Sequence, residues 1–259
     1  AANSFRAITS HGRSLWRSLN KNTSERLPEG KRGMRAAGKE SRLKRNQKMK
    51  LTCFARPPKF RNRMVMMIIG ILLQGFGLAL LIKLNLGTDP CSCLTQGVIR
   101  YIPISFGTAQ FLCHLVTFLF VIRFDMSLIG FGTIGNMVCL GYIADFWGWV
   151  WNSLLPENFF QQPVARYGLL LPAVVVFILG AATYMTAGLG TSPYDGLPFI
   201  ISKHVHRLSF KAIRMIWDVC FMIAGFILGG DVGIVTVAVA FFLGPVITWL
   251  GKKLRRFIE

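Results

Sequence analysis

The stretch Leu86-Gly87-Thr88-Asp89-Pro90 recurs later in the chain as Leu189-Gly190-Thr191-Ser192-Pro193, at an offset of 103 residues. We call these two segments the proline motifs. Further matches follow at an offset of 103 or 104: Ser105-Phe106 with Ser209-Phe210, Gly130 with Gly233, Thr133 with Thr236, and Leu140-Gly141 with Leu243-Gly244. Matches at a nearly constant offset indicate an internal repeat.

Each proline motif is predicted to end one helix and to begin another. Its glycine lets the backbone turn. Asp89 or Ser192 then serves as the N-cap, and the proline takes the first helical position, where an N–H has no partner within the helix. Asp195 completes a pattern that resembles a capping box. The resulting helices, 90–101 and 193–204, are too short to span a bilayer and are expected at its interface or dipping partly into it.

The composition predicts a polytopic membrane protein. Of 259 residues, 53% are hydrophobic and only 16% are charged, whereas a soluble domain is about one-quarter charged. A membrane-spanning helix needs about 20 mostly apolar residues. We predict six spans: 64–83, 106–123, 127–150, 167–187, 211–229 and 232–250.

Three spans fall in each copy of the repeat, so the second copy enters the membrane from the opposite side. The predicted fold is therefore an all-α membrane protein with six transmembrane helices. These form two inverted three-helix repeats, 64–150 and 167–251, joined by an outer linker, 151–166. Each repeat contains one short interfacial or re-entrant helix.

The net charge of +19 lies mostly in the first quarter of the chain. Residues 1–63 contain 18 Lys and Arg and only three Glu. A segment with this composition is expected to be disordered, since it lacks a sustained apolar face. We predict that Met49 is the native start. A targeting peptide is an alternative, whereas the lack of interleaved aromatic residues argues against a nucleic-acid partner.

Basic residues in short loops predict that both termini are cytoplasmic. The predicted inner segments are the N-terminal tail, the turn at Arg123, the loop that holds Lys203, Arg207, Lys211 and Arg214, and the tail 252–259. The predicted outer segments hold basic residues only near the ends of spans: Lys83, Arg100 and Arg166.

Ionisable residues within spans are candidates for a functional site, because burying charge in hydrocarbon is expensive. Asp218 and His114 occupy equivalent positions at the offset of 104. Together they could relay a proton or hold a cation. Alternatively, His114 forms an ordinary interhelical hydrogen bond, and Asp218 is either neutral or paired with Arg214, one turn away.

Further polar residues are predicted along a substrate or ion path, together with Asp218 and His114. They are Asp89, Thr88, Asp195, Thr191, Asn136 and Asp145. The positive N-terminal ends of the two short helices could face this path. The alternative is that each proline motif only redirects the chain.

The sequence lacks the motifs of several chemistries. It contains no phosphate-binding loop, no His-Glu-x-x-His and no Gly-x-Ser-x-Gly. We therefore expect neither an enzyme nor ATP-driven transport. Cys91-Ser92-Cys93 has no second Cys or His pair at a suitable spacing, so neither a metal site nor a cofactor is expected.

The chain resembles the YczE/YyaS/YitT-type bacterial integral membrane proteins over about residues 60–250. The resemblance is carried by the first proline motif, by Ser105-Phe106-Gly107-Thr108, by Gly132-Thr133, and by Asn136, Gly141 and Asp145. It is closest to the YczE-like branch, in which an aromatic residue and Asp often follow the motif proline. Tyr194-Asp195 matches this pattern, whereas Cys91-Ser92 departs from it. The resemblance implies a bacterial cytoplasmic (inner) membrane protein without indicating a substrate.

These patterns favour a secondary transporter or permease-like protein for a small solute or ion. The alternative is a non-transporting accessory or regulatory membrane subunit. The expected partners are the lipid bilayer and that small solute or ion. A second copy of the chain and another membrane protein are both left open.

Overall fold

The computed structural model describes residues 54, 56–156, 158–205 and 207–255, with the side chain of Thr248 excepted. These residues belong to one compact unit, Thr52–Glu259. Three predictions fall wholly or partly outside the described residues: the basic extension up to residue 53, the start at Met49, and the end of the basic tail from residue 256.

The described part of the chain is all-helical. Its α-helices are α1 (Phe60–Leu84), α2 (Pro90–Ile99), α3 (Phe106–Phe124), α4 (Phe131–Leu154), α5 (Pro163–Gly168), α6 (Leu170–Thr186), α7 (Pro193–His204), α8 (Phe210–Ile227) and α9 (Ile234–Leu254). Each of the six predicted spans coincides with one of the longer helices, and α5 leads almost directly into α6.

Four helical segments in the described part are long and apolar enough to cross a membrane: α1, α3, the combined α5–α6 segment Pro163–Thr186, and α9. The chain is thus a multi-pass helical membrane protein. Helix α8 is not among the four, and it carries Lys211, Arg214 and Asp218 within 18 residues. Helix α4 is also not among them, so the count of six spans remains a prediction.

The third predicted span begins later than expected. Residues 126–128 form a 3-10 turn, and Gly130 is extended, so that α4 begins at Phe131 and not at residue 127. The Thr133 hydroxyl accepts a hydrogen bond from the Gly130 N–H (3.0 Å). This local cap fixes the start of the helix.

Helices α1 and α6 pack closely along their lengths. A Cβ atom at Gly77 would lie 2.6 Å from the Phe177 nitrogen, and one at Gly180 would lie 2.3 Å from the Gln74 nitrogen. Positions 74 and 177 are equivalent in the repeat, as are 77 and 180. The contact is therefore reciprocal, and small residues permit the close approach that is typical of membrane helices.

The two short helices begin as predicted. Asp89 caps α2 by accepting from the Ser92 N–H (3.1 Å), and Ser192 caps α7 by accepting from the Asp195 N–H (3.2 Å). Helix α2 packs against α8 and α3, while α7 packs against α3 and α8. Each short helix therefore contacts the second long helix of both repeats.

The proline motifs make reciprocal contacts with the two repeats. A Cβ at Gly233, which precedes α9, would lie 2.0 Å from the Leu86 oxygen. A Cβ at Gly130, which precedes α4, would lie 2.1 Å from the Leu189 oxygen. One expectation was wrong in detail. Helix α1 ends at Leu84 with the left-handed residue Asn85 (φ 51°), two residues before the motif glycine, because asparagine tolerates this conformation.

Two arginines cap helices of the opposite repeat. The Arg63 guanidinium donates to the Ala187 oxygen (3.0 Å). The Arg166 guanidinium donates to the oxygens of Leu84 (2.9 Å) and Asn85 (2.8 Å). Arginines 63 and 166 are 103 residues apart, as are positions 84 and 187. Each cap satisfies carbonyl groups that a helix end leaves without partners.

Two ion pairs tie the C-terminal ends of the short helices to loops of the opposite repeat. Arg100 follows α2 and pairs with Asp231 (2.9 Å), and Lys203 in α7 pairs with Asp125. Arg100 lies six residues before the first residue of α3, and Asp125 directly follows the helix. The two pairs, which we call the end pairs, are thus at opposite ends of a helix about 28 Å long.

Candidate functional site

A cavity of about 40 Å³ lies between the two repeats. Its apolar wall includes Leu140, Phe177, Ala181 and Leu243. Its polar wall is drawn from both repeats: Gln74, Asp89, Gln110, His114, Asn136, Tyr184, Ser192, Tyr194, Asp195, Arg214 and Asp218. The starts of both short helices therefore meet the first half of α3 and the first half of α8 around one small cavity.

A charged cluster occupies the side of the cavity formed by α7 and α8. The Arg214 guanidinium contacts the carboxylates of Asp195 (2.5 Å) and Asp218 (3.1 Å). The Tyr194 hydroxyl donates to Asp218, and the Ser192 hydroxyl donates to Asp195 (2.8 Å). The side chains of Arg214 and Asp195 are each 15% exposed, and that of Asp218 is 3% exposed. One buried cation thus bridges two carboxylates.

The first repeat supplies a neutral network to the same cavity. The Thr95 hydroxyl donates to Gln110 Oε1 (2.5 Å), and Gln110 Nε2 donates to His114 Nε2 (3.2 Å). The Asn136 amide nitrogen donates to Gln74 Oε1 (3.2 Å). This network fixes the orientation of amide groups that would otherwise be free to rotate.

Three buried polar atoms of the cavity wall have no hydrogen-bond partner within the described part of the chain. They are His114 Nδ1, Asn136 Oδ1 and the Tyr184 hydroxyl oxygen. All three residues are at most 3% exposed. Buried polar groups normally have a partner. These atoms therefore mark the cavity as a place where water or a bound ligand completes the hydrogen bonding.

Equivalent positions of the two repeats carry different chemistry. At the offset of 104, Gln110 corresponds to Arg214 and His114 corresponds to Asp218. At the offset of 103, Cys91 corresponds to Tyr194. At the positions of Gln110 and His114 the first repeat is therefore neutral, whereas the second repeat places an ion pair at the equivalent positions.

The structure brings together five of the eight residues predicted to line a path: Asp218, His114, Asp195, Asp89 and Asn136 all line the cavity. Asp218 and His114 do not form a hydrogen bond with each other. Asp218 instead pairs with Arg214, which was the alternative prediction, while His114 bonds to a residue of its own helix.

The other three predicted residues do not line the cavity. The Thr88 hydroxyl lies 3.4 Å from the oxygen of the next residue, and the buried Thr191 hydroxyl has no partner among the described residues. Asp145 accepts a hydrogen bond from the Gly107 N–H (2.8 Å) at the start of α3. That bond joins α4 to α3 at the end remote from Asp125.

The contact of Arg214 with both Asp195 and Asp218 was not predicted. From the sequence, Arg214 was expected only as a basic residue of an inner loop or as a partner for Asp218. Sequence reasoning also did not propose Tyr194, Gln110, Gln74 or Tyr184 as parts of a path. The repeat contained a usable signal for two of them. Gln110 and Arg214 are equivalent, and each lies one helical turn before the predicted residues His114 and Asp218.

Comparison with known proteins places most of the chain in one family. Residues 61–252 match the model of a family of unknown function, DUF6198. The chain belongs to this family. A protein of Haemophilus influenzae named only as uncharacterized is 29% identical over 181 residues, which cover 70% of this chain and 79% of that protein. No solved structure matches the chain.

Two Bacillus subtilis proteins confirm that the DUF6198 chain is of the YczE/YyaS type. The uncharacterized membrane protein YczE is 23% identical over 69% of this chain and 80% of its own length. The uncharacterized protein YyaS is 25% identical over 65% of this chain and 82% of its own length. The predicted resemblance is thus confirmed.

Proposed function

We propose that this DUF6198 protein is a secondary transporter of a small solute or ion, with the cavity as its binding site. The observation that carries the proposal is the buried Arg214 cluster with Asp195 and Asp218. Ionised groups at membrane depth are expensive and usually mark ion or substrate pathways. No enzymatic step is part of the proposal.

We propose further that six helices cross the membrane as two inverted repeats. Reciprocal contacts support this arrangement: α1 with α6, each proline motif with the opposite repeat, and the arginine caps at Arg63 and Arg166. Contacts that exchange equivalent positions are expected of halves related by a two-fold axis. Transporters of this design bind their substrates near the midplane, at the repeat interface.

The end pairs suit a gate that opens on one side at a time. Both Arg100 and Lys203 are more than half exposed, and exposed ion pairs contribute only about 0–1 kcal/mol each. They can therefore be broken at little cost. Each pair holds one short helix against a loop of the opposite repeat, so releasing one pair would free the C-terminal end of a short helix whose start lines the cavity.

We propose that the protein lies in the bacterial cytoplasmic membrane with both termini inside. The contacts support a consistent sidedness. Lys203 and Asp125 belong to segments predicted to be inside. Arg63 and Ala187, which contact each other, also lie at the predicted inner ends of their helices. Arg100 and Asp231 belong to segments predicted to be outside.

The proposal is tested with the purified full chain in proteoliposomes that contain a pH-sensitive dye. Gradients of alkali-metal chlorides, ammonium chloride and phosphate salts are applied in turn, and ion-driven changes of internal pH are recorded. We expect flux above that of empty liposomes for at least one gradient. The variant Asp218→Asn should reduce this flux at least tenfold, since the amide retains the shape of the side chain but not its charge.

A matched control is Cys220→Ala, which changes an exposed residue of the same helix and should leave the flux unchanged. Equal flux for Asp218→Asn and the unmodified chain would remove Asp218 from the mechanism.

The alternative is an accessory membrane subunit. An apolar groove between α6 and α9, lined by residues such as Leu171, Val174 and Phe242, offers a surface for another helix. No flux under any gradient, together with stoichiometric co-purification of a membrane partner, would favour this alternative.

A further inference from the structure

The size of the cavity restricts what it can hold. A site for one water molecule needs about 10–15 Å³ measured in the same way. The cavity of about 40 Å³ thus has room for roughly three water molecules, or for a small ion with one or two waters. Pockets for organic ligands are commonly several hundred Å³. A cavity of this size therefore suits an inorganic ion.

The charges on the cavity wall favour a cation. Three carboxyl groups, those of Asp89, Asp195 and Asp218, line the cavity together with one guanidinium group. Arg214 is engaged by Asp195 and Asp218. Within residues 56–156, 158–205 and 207–255, no Lys or Arg forms an ion pair with Asp89. An anion would have to displace a carboxylate from Arg214, whereas a cation meets an excess of negative charge.

Unpartnered oxygen atoms provide the second, independent observation. Asn136 Oδ1 and the Tyr184 hydroxyl oxygen are buried, line the cavity and have no partner in the part of the chain that the structure describes. The bond from the Asn136 amide nitrogen to Gln74 directs the amide oxygen away from that neighbour. Amide and hydroxyl oxygens, with a single unpaired carboxylate, are hard ligands that suit ions without d-electron preferences.

We infer that the cavity is a binding site for a monovalent alkali-metal cation, with Asp89, Asn136 and Tyr184 as its ligands. Among the described residues, no three His, Cys, Asp or Glu side chains converge as ligands for a metal ion. A cation that needs several charged ligands is therefore disfavoured. The inference deepens the proposed function, because it names the class of ion that the same cavity takes.

The inference is tested by binding of sodium, potassium and lithium to the purified full chain in detergent. Thermal unfolding is followed by tryptophan fluorescence while each chloride replaces choline chloride at constant ionic strength. We expect a saturable rise in Tm with at least one alkali-metal ion and none with choline. Replacing chloride with gluconate should leave the rise unchanged, which distinguishes cation binding from anion binding.

The decisive variant is Asp89→Asn. Asparagine is as good an N-cap as aspartate, so the cap on the Ser92 N–H survives while the charge is lost. We expect the affinity for the ion to fall at least tenfold. Cys139→Ala alters an exposed residue of the helix that carries Asn136 and is the matched control. Tyr184→Phe removes only one ligand oxygen and should weaken ion binding several-fold. This second variant keeps the test decisive if Asp89→Asn does not fold.

Three results would overturn the inference: no saturable effect of any alkali-metal ion, a stronger effect of Mg²⁺ or Ca²⁺, or unchanged affinity in both variants. Failure of transport is a separate outcome. Ion binding without flux in liposomes would support the cation site and contradict the transporter. Flux that needs no alkali-metal ion would support the transporter and contradict the cation site.

Discussion

Replacing the single buried arginine of the cavity should destabilise the protein more than replacing any exposed basic residue. The change is Arg214→Gln, which installs the residue that the equivalent position of the first repeat carries. The side chain of Arg214 is only 15% exposed and contacts both Asp195 and Asp218. Its removal leaves two buried carboxylates without a cation.

The magnitude follows from the burial of this cluster. Removing one partner of a buried ion pair costs about 3–5 kcal/mol, because the remaining charge is uncompensated. Replacing all the charged members avoids that cost. The triple variant Arg214→Gln, Asp195→Asn, Asp218→Asn should therefore recover most of the loss. The control is Arg100→Gln in an exposed end pair, for which we expect about 0–1 kcal/mol.

The assay is unfolding of the purified protein by SDS in mixed micelles, followed by tryptophan fluorescence. The free energies of unfolding of the single, triple and control variants are compared with that of the unmodified chain. The reasoning would be refuted if Arg214→Gln cost no more than Arg100→Gln, or if the triple variant were as unstable as the single one.

Three further changes test other parts of the structure. Gly233→Ala should lower the free energy of unfolding by about 1–3 kcal/mol through overpacking, because the added Cβ would lie 2.0 Å from a carbonyl oxygen. A Cβ added at Gly244 has no such neighbour within 4 Å, so Gly244→Ala should be neutral or slightly stabilising in the same SDS assay. Arg166→Gln should lower the free energy of unfolding by about 1–2 kcal/mol, since two charge-assisted bonds to the end of α1 are lost. Burial alone would raise the pKa of Asp125, but hydrogen bonds from Lys203 and a neighbouring serine hold this pKa below its ordinary value. A lowered folded-state pKa stabilises above the unfolded value of about 4, so Asp125→Asn should lower Tm at pH 7, and this difference should shrink as the pH falls below the unfolded value and through the lowered folded-state pKa.

The repeat made much of the fold predictable. Caps, prolines and apolar stretches are local features, so the starts of α2 and α7 and the six long helical regions could be read directly. The start of α4 was misplaced because residues 127–130 are apolar enough to continue a span. Only the extended backbone at Gly130 and its bond to Thr133 end that continuity.

The site was less predictable, for a physical reason. Ionisable residues within the apolar stretches point to Asp218 and His114, but their partners depend on which helices meet. Arg214 reaches Asp195 only because α7 packs against α8. Tyr184 becomes part of the cavity through the close packing of α6 on α1, where a Cβ at Gly70 would lie 2.4 Å from the Tyr184 nitrogen. Such contacts between distant segments leave no spacing pattern in the sequence.

The difference between the two repeats explains how a pseudo-symmetric cavity could remain stable. If both copies carried Arg and Asp at the positions of Arg214 and Asp218, two guanidinium groups would face one small cavity and would repel each other. With Gln110 and His114 in the first copy, only one ionic cluster has to be desolvated. The same asymmetry leaves Asp89 without a basic partner in the described part of the chain. A bound cation would offset that remaining charge, so the proposed ion site is electrostatically consistent with Gln110 in place of an arginine in the first copy.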